Sequence, residues 1–135
     1  MAKESGLGLT ISVDDSGGTL RDISNDVTGG ADWSTPRGEQ DITGVDKSAM
    51  ERLLLLADGQ ITLRGTFNDA AAASHAVFKD VSSTSVTRTV TLAISGQTLS
   101  MEMLFNDYAL SRATDGSLTW ETTGMLADGT VPTWS

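Results

Sequence analysis

The chain has 135 residues, no cysteine, nine basic and eighteen acidic side chains, and a formal net charge of −9. This length predicts a single domain over residues 1–135, and the lack of cysteine excludes disulfides, thiolate zinc sites and cysteine nucleophiles. The acidic balance disfavours a basic patch that binds phosphates, and the short apolar runs predict neither a signal peptide nor a membrane-spanning segment.

The N-terminal part is predicted to be a β-hairpin followed by a long loop. Apolar residues occupy every second position from Leu7 to Val13, which places them on one face of a strand. After the turn at 14–18, the segment Thr19–Ile23 is predicted to return as a short second strand. Residues 25–46 contain four glycines and a proline without sustained periodicity, so we expect a functional or disordered loop there, with Trp33 in its middle.

The central part is predicted to contain two helices and a strand. Asp46 can cap a helix over Lys47–Ala57, which combines strong helix formers with apolar residues at helical spacing and ends at Asp58-Gly59. Alternation then predicts a strand over Gln60–Phe67. The alanine-rich stretch after it predicts a short helix from Asp69 to about Lys79.

The C-terminal part is predicted to be strand-rich. Val86–Ser95 and Thr98–Phe105 both alternate and flank a tight turn, which is typical of a β-hairpin. A last strand is predicted over Ser117–Thr123, with Leu118 and Trp120 pointing inward. Fifteen serines, eighteen threonines and fourteen glycines favour the same strand-rich, turn-rich fold.

No pattern in the sequence predicts catalysis, a cofactor or a metal. Ser74, His75 and the flanking acids Asp69 and Asp80 offer the residue types of a catalytic triad, but neighbouring residues of a helix point to different faces. The acidic pairs lack the spacing of a calcium loop, and no phosphate-binding glycine motif is present. Trp33 could equally anchor a partner or fold back over the core.

Taken together, the elements resemble the major tail protein, or tail tube protein, of long-tailed (siphovirus-type) bacteriophages, and above all its small versions in phages of actinobacteria. The resemblance covers nearly the full chain and rests on four segments: GLGLTISVDDSGGTLRDISNDV, WSTPRGEQDITGVDKSAMERLLLLADG, ITLRGTFNDAAAASHAVFKDV and TVTLAISGQTLSMEMLFNDYALSR. It implies a mainly β fold, a β-sandwich or half-open barrel with one flanking α-helix and a long interaction loop.

The resemblance also implies a function. Six copies would form a ring, and stacked rings would form a tube through which double-stranded DNA passes without specific binding. The implied partners are further copies of the chain, the tape measure protein, the tail terminator and tail-tip proteins. The implied location is the virion tail, reached from the host cytoplasm during assembly.

Two groups of residues are candidates for this function. The long loop is expected to cross to a neighbouring subunit or ring, through Trp33, Pro36, Arg37 and Asp41. The polar face of the C-terminal hairpin is the candidate lumen face, formed by Thr89, Thr91, Ser100 and Glu102. An acidic channel would release DNA quickly because it does not neutralise phosphates.

Other classes stay open at this stage. A capsid decoration protein or head-tail connector shares the chemistry of assembly and differs in whether the protein forms sixfold tubes. A β-sandwich carbohydrate-binding module would need several aromatic residues on one exposed face, and the chain has only three Trp, one Tyr and three Phe. An enzyme is the least favoured class.

Overall fold

The structure, a computed structural model, describes residues 3–135 and consists mainly of β-strands. The strands are β1 (Thr10–Asp14), β2 (Leu20–Asp22), β3 (Ala31–Ser34), β4 (Arg37–Asp41), β5 (Arg52–Ala57), β6 (Gln60–Thr66), β7 (Arg88–Ile94), β8 (Gln97–Phe105), β9 (Ala109–Arg112) and β10 (Leu118–Leu126). A 3-10 turn spans Ser24–Asp26, and the helix α1 spans Ser74–Phe78.

Eight of these strands form one antiparallel sheet, in the order β2-β1-β7-β8-β10-β6-β3 with β9 paired to β10. Along one edge, β10 pairs with β9 through Leu118–Glu121 and with β8 through Gly124–Leu126. Among residues 3–135, the strands β4 and β5 pair only with each other and form a separate two-stranded sheet.

The core shows that the large sheet curls around itself. Ile11 of β1 and Ala31 of β3 line the same cavity, although four strands separate β1 from β3 in the sheet. Ile11 and Ile61 of β6 also belong to one hydrophobic cluster. Phe78 of α1 joins that cluster beside Trp120, with ring centroids 5.6 Å apart. Strand alternation puts one face of the sheet inside and leaves the other face mainly polar, apart from the exposed pair Leu104 and Met125.

The predicted hairpins are confirmed. β1 pairs with β2, and β7 pairs with β8 in continuous register from Arg88 opposite Met103 to Ile94 opposite Gln97. The turn between β7 and β8 has φ of 52° at Ser95 and 80° at Gly96. Positive φ at both central residues is the turn geometry that matches the twist of a hairpin.

The predicted helix over Lys47–Ala57 is wrong. Arg52–Ala57 is the strand β5, and it pairs with Arg37–Asp41 across the hairpin. Leucine has a high helix propensity, but propensity is a weak prior, and a pairing partner outweighs it here. The predicted loop over residues 25–46 is wrong in its extent, because this segment contains the strands β3 and β4.

The remaining predictions hold with shifted limits. The alanine-rich stretch does form a helix, but α1 covers only Ser74–Phe78. The last strand runs on to Leu126, and its Trp120 points inward as predicted, with 1% of its surface exposed. The mainly β fold with one short helix is confirmed, although α1 and not the Lys47–Ala57 segment supplies the helix.

Candidate assembly surfaces

The most distinctive surface is a protruding hairpin, which we call the arm and define as residues 37–57. It comprises β4, β5 and the loop between them, and it begins and ends at a narrow base. There the backbone N–H of Asp58 donates to the carbonyl oxygen of Pro36 at 2.8 Å. The arm therefore leaves the large sheet as a two-stranded ribbon.

Leucines cover both faces of the arm. Leu54 shares one face with Arg52, whereas Leu53 shares the other with Gln40, because side chains alternate along a strand and directly paired residues lie on the same face. A register shift between Arg37 and Glu39 interrupts this alternation after Leu54. Leu54 is 60% exposed and Leu56 90% exposed. Exposed apolar patches of this kind mark interaction sites in soluble proteins.

The tip of the arm is ordered by polar contacts. The Thr43 hydroxyl donates to the carbonyl oxygen of Glu51 at 3.2 Å and accepts from the backbone N–H of Glu51 at 2.8 Å. Hydrogen bonding by the side chain and backbone of Thr43 lowers the pKa of the Asp41 carboxyl. These local bonds hold the loop without any contribution from the large sheet.

The arm has a net charge roughly in proportion to its length, about one negative charge in 21 residues against about one in 14 for the rest of the chain. The arm carries four acidic and three basic side chains, so its net charge is −1. The rest of the chain carries fourteen acidic and six basic side chains, a net charge of −8. Within the arm, Lys47 lies 3.8 Å from Glu51 and Arg52 lies 4.0 Å from Glu39, so its charges largely compensate each other.

The residues predicted to form an interaction loop fall into two places. Pro36 lies at the base of the arm, and Arg37 and Asp41 lie on β4, where the Arg37 side chain donates to the carbonyl oxygen of Leu55 at 2.9 Å. Trp33 lies outside the arm, on β3. There it pairs with Ile61 and packs, partly buried, against the core.

The predicted lumen residues do lie together on the polar face of the β7–β8 hairpin. The Thr89 hydroxyl donates to the Glu102 carboxylate at 2.6 Å, and the hydroxyls of Thr91 and Ser100 are 3.3 Å apart. Ser12 of β1 lies directly opposite Thr91 and extends this hydroxyl-rich face by one strand.

The same face continues across β10, β6 and β3, where it carries a compensated cation. Arg64 donates to Asp32 at 2.9 Å and lies 3.5 Å from Glu121. The hydrogen bond to Asp32, supported by the charges of Asp32 and Glu121, raises the pKa of Arg64. In the described part of the chain all three lysines lie outside the strands, so this face offers little to bind phosphate.

Beneath the polar face, a buried ion pair joins the sheet to the segment after α1. Arg88 of β7 points inward and donates to Asp80 at 3.1 Å and to the carbonyl oxygens of Val77 at 2.7 Å and Asp14 at 3.0 Å. Burial would raise the pKa of Asp80, but hydrogen bonds from Ser16 and Arg88 outweigh it, and the pKa is lowered. Arg88 is buried because it shares the inward face of β7 with Val90 and Leu92. A charged residue type by itself would indicate an exposed position.

The triad-like residues are used for structure. The backbone N–H of Ser74 donates to Asp26 at 2.9 Å, and the side-chain amide of Asn68 donates to the same carboxylate at 2.8 Å. His75 faces Tyr108, with Nδ1 3.3 Å from the Tyr108 hydroxyl. The buried Asp26 thus anchors the start of α1, a role that the sequence analysis missed.

Residues 3–135 carry neither a metal-binding cluster nor a helix that could span a membrane. They contain no group of three or more His, Asp or Glu side chains that could hold a metal ion. They also contain no helix of sufficient length and apolar character to cross a membrane.

Comparisons with known proteins identify the fold. No protein-family model matches the chain, and no curated protein matches it by sequence. A chain from the tail of an empty gene transfer agent particle, solved by helical refinement with C6 symmetry, is similar over 98% of this chain and 99% of its own, with a TM-score of 0.77 at 16% identity. A chain from the sixfold-symmetrised baseplate of the anti-feeding prophage is similar over 100% and 97%, with a TM-score of 0.64 at 10% identity. The chain therefore has the fold of proteins from tail-like particles.

Proposed function

We propose that this chain is a structural tail tube protein, which assembles into rings of six that stack into a tube for DNA. The whole chain acts as one tail-tube-like domain in this proposal, and no catalytic role belongs to it. The observation that carries the proposal is the full-length similarity in fold to a chain from a C6-symmetric tail. The arm and the polar face supply the two surfaces that such a tube requires.

The arm supports the proposal because it is exposed in the single chain. Four consecutive leucines in contact with water are unfavourable for a monomer, since burying each one is worth about 2 kcal/mol. Contact with a neighbouring copy would bury these leucine side chains and so stabilise the assembly by part of that free energy. We place Pro36, Arg37 and Asp41 at such subunit contacts, with Trp33 holding the preceding strand to the core.

Open strand edges support ring formation. β2 and β3 end the large sheet at its two sides, and no strand in the part of the chain that the structure describes pairs with the outer side of either one. Exposed edges invite pairing with another chain, and a closed ring removes them by pairing each edge with a neighbour. Both edge strands are short, which limits unwanted pairing between subunits before assembly.

The polar face supports a channel. Thr89, Thr91, Ser100 and Glu102 form a hydroxyl-rich, acidic surface, and the nearby Arg64 is compensated by two carboxylates. Such a surface repels phosphates and so lets DNA pass without being retained. We therefore assign this face to the lumen.

The remaining partners follow from the same role. A tube of defined length needs a tape measure protein, a tail terminator at one end and tail-tip proteins at the other. The chain would assemble with them in the host cytoplasm and remain in the virion tail.

The direct test is electron microscopy of the purified chain over a range of concentrations, together with sedimentation velocity. We expect sixfold rings and tubes that grow with concentration. The matched control replaces the arm residues 39–55 with an Asn-Gly turn, which should leave a folded monomer. Single rings that bind preformed capsids without stacking would favour the connector alternative, and a folded wild-type chain that never associates would contradict the proposal.

A second experiment tests the lumen assignment alone. The triple variant Thr91→Lys, Ser100→Lys and Glu102→Lys should assemble normally, and its tubes should retain short duplex DNA at low salt. Retention should fall as salt rises, because the new contacts release counterions. The control variant places lysines at the exposed residues Asp69, Ser82 and Thr114, outside the assigned lumen, which changes the net charge by the same amount. Equal DNA retention by both variants would contradict the assignment.

A further inference from the structure

We propose that residues 128–135, which we call the strap, hold back ring formation by covering one edge of β8 in the free subunit. This inference rests on the proposed function and adds to it a control over when copies of the chain pair with each other. The strap follows β10 and lies outside the ten strands of the fold.

The edge under the strap exists because the strands of the large sheet are staggered. β10 pairs with β8 only from Met103 to Phe105. Just beyond β10, the backbone N–H of Ala127 donates to the carbonyl oxygen of Glu102 at 3.0 Å. Residues 97–101 of β8 pair with β7 on one side, and no strand of the described residues pairs with them on the other. Without the strap, this stretch of β8 would be an open sheet edge.

Few contacts hold the strap on this edge. Thr98 and Ser135 exchange two backbone hydrogen bonds, of 2.8 and 2.9 Å. Trp134 lies directly opposite Leu99 and is 46% exposed, although Leu99 itself is fully buried. Pro132 has no backbone N–H and so cannot donate to β8. The strap should therefore open more readily than the sheet unfolds, because local opening breaks only these contacts.

The pairing register provides the strap with a hinge. Leu126 lies opposite Met103, so an unbroken ladder would reach Leu99 four residues before Trp134. The extra residues form a loop between β10 and the bound part of the strap, and Gly129 in this loop has a φ of 75°. The strap can therefore leave the edge by a change in the loop, while the pairing of β10 stays intact.

The covered edge lies in the same row of the sheet as the open edge of β2. Ser100 of β8 pairs with Thr91 of β7, and Thr91 pairs with Ser12 of β1. Ser12 in turn pairs with Asp22 of β2. This row ends in β2 on one side of the sheet and in the strap-covered edge of β8 on the other. A ring sets one side of each copy against the other side of the next, so the strap occupies the place of a neighbour's β2.

The occupant of this edge in the assembly is therefore β2 of a second copy. Thr98 directs its backbone N–H and carbonyl towards the strap, so Ser100, two residues along the strand, directs its own groups the same way. Among the described residues, no backbone hydrogen bond joins Ser100 to the strap, which leaves these groups for a longer partner strand. β2 carries one arginine and one aspartate, so its approach to an acidic copy costs little electrostatic energy.

The strap and a neighbour's β2 cannot occupy the edge together. The strap belongs to the same chain as the edge, so its effective concentration there is high and does not depend on the concentration of subunits. A neighbour's β2 competes with it only when subunits are concentrated or held together by their other contacts. The strap thus raises the subunit concentration that ring formation requires.

A disulfide lock tests this competition. The chain has no cysteine of its own, and Thr98→Cys with Ser135→Cys places two thiols on a directly opposed pair, a geometry with Cα atoms about 5.5 Å apart that a disulfide can bridge. Oxidation before assembly should raise the concentration at which tubes appear by about tenfold or more, and reduction should reverse this effect. The control lock, Thr62→Cys with Thr123→Cys, joins two strands that stay paired and should assemble equally well in both redox states.

A second variant weakens the strap without a disulfide. Trp134→Ala should lower the concentration at which tubes appear by about threefold or more, because the internal competitor binds its edge less tightly. Thermal unfolding of the subunit should change little, since the indole is half exposed. Leu7→Ala removes an exposed apolar side chain outside the strap and is the matched control, which should assemble like the wild type.

The possible results separate the strap from the tube itself. Tubes that appear at the wild-type concentration from the oxidised lock would overturn the inference, because a closed strap would then be compatible with the ring. A Trp134→Ala variant that assembles no more readily than the wild type would overturn it as well. A wild-type chain that forms no tubes at any concentration, with or without these changes, would contradict the proposed function instead, and the role of the strap would fall with it.

Discussion

The arm and the curled sheet use the same residue type in opposite ways. Leu63, Leu92 and Leu99 in the sheet have no exposed surface, whereas Leu54 and Leu56 in the arm are mostly exposed. Burial of leucine contributes to the stability of the single chain in the first region only. In the arm, the free energy of burying leucine is still available for association. Different leucines therefore stabilise the fold and the assembly.

The largest difference between the two regions should appear at glycines. A side chain at Gly65 would collide with the carbonyl oxygen of Asp26 and come within 2.6 Å of Trp120, whereas one at Gly38 in the arm would meet Leu55 at 3.6 Å. Gly65→Ala should therefore lower the free energy of unfolding by more than about 3 kcal/mol, since backbone cannot yield as a side chain can. Gly38→Ala should change it by less than about 1 kcal/mol, both measured by urea denaturation of the subunit. Similar losses would mean that the arm is packed as tightly as the core.

Leucine truncation sharpens the same comparison. Leu63→Ala should cost about 3 kcal/mol of subunit stability through lost burial and a cavity. Leu54→Ala should leave the stability of the subunit within about 0.5 kcal/mol, because its side chain is already in water. The variant should nevertheless raise the concentration at which tubes appear. A large loss of subunit stability in Leu54→Ala would show that the arm folds onto the sheet.

The two kinds of ion pair provide a smaller contrast. Asp80→Asn leaves the buried Arg88 guanidinium without its carboxylate and should cost about 2 kcal/mol, whereas Glu39→Gln in the arm should cost less than about 0.5 kcal/mol. Unfolding at neutral pH measures both. An equal response of the two variants would mean that burial of Arg88 does not matter.

Acid should affect this pair in a defined direction. The folded state lowers the pKa of Asp80, so the carboxylate adds stability above its unfolded pKa of about 4, and this contribution is lost as pH falls further. The wild type should therefore lose more stability than Asp80→Asn between neutral pH and about pH 3. Parallel pH profiles would show that other carboxylates dominate acid unfolding.

The smallest expected contrast is between Trp33 and Pro36. Because it is partly buried against the core, Trp33→Ala should lower subunit stability by about 1 to 2 kcal/mol, less than full truncation of a core aromatic residue. Pro36→Gly at the base of the arm should change subunit stability less and tube formation more. The opposite order would place Trp33 among the assembly contacts and Pro36 among the folding ones.

Sequence patterns predicted the large sheet well and the arm poorly, for a physical reason. Apolar and polar residues alternate in β1, β6, β7 and β8 because one face of the sheet is buried and the other contacts solvent. Such alternation in a sequence predicts a strand. Arg52–Ala57 has no alternation since neither face meets the core of its own chain, so helix propensity decided the prediction wrongly. The signal for β5 lies in its partner strand, and Arg37–Asp41 has no strand-like composition of its own.

The candidate surfaces divide in the same way. The polar face could be predicted from Thr89, Thr91, Ser100 and Glu102 because alternation fixes which side chains share a face. The hydrogen bonds of Arg64 to Asp32 and of Asn68 to Asp26 could not be predicted from the sequence. The two residues of each pair are distant in the sequence and come together only in the folded sheet.

The pairing of β1 with β7 affects the order in which the chain can fold during synthesis. The first strand can pair with β2 early, but its second partners are residues 90–93, so the β1–β2 hairpin joins the large sheet only after most of the chain has left the ribosome. The core closes later still, when Trp120 arrives. The arm, by contrast, pairs across ten intervening residues and can form early, as nearby segments do. A nascent chain would thus expose the leucines of the arm before the large sheet has folded, which favours contact of the arm with chaperones during translation.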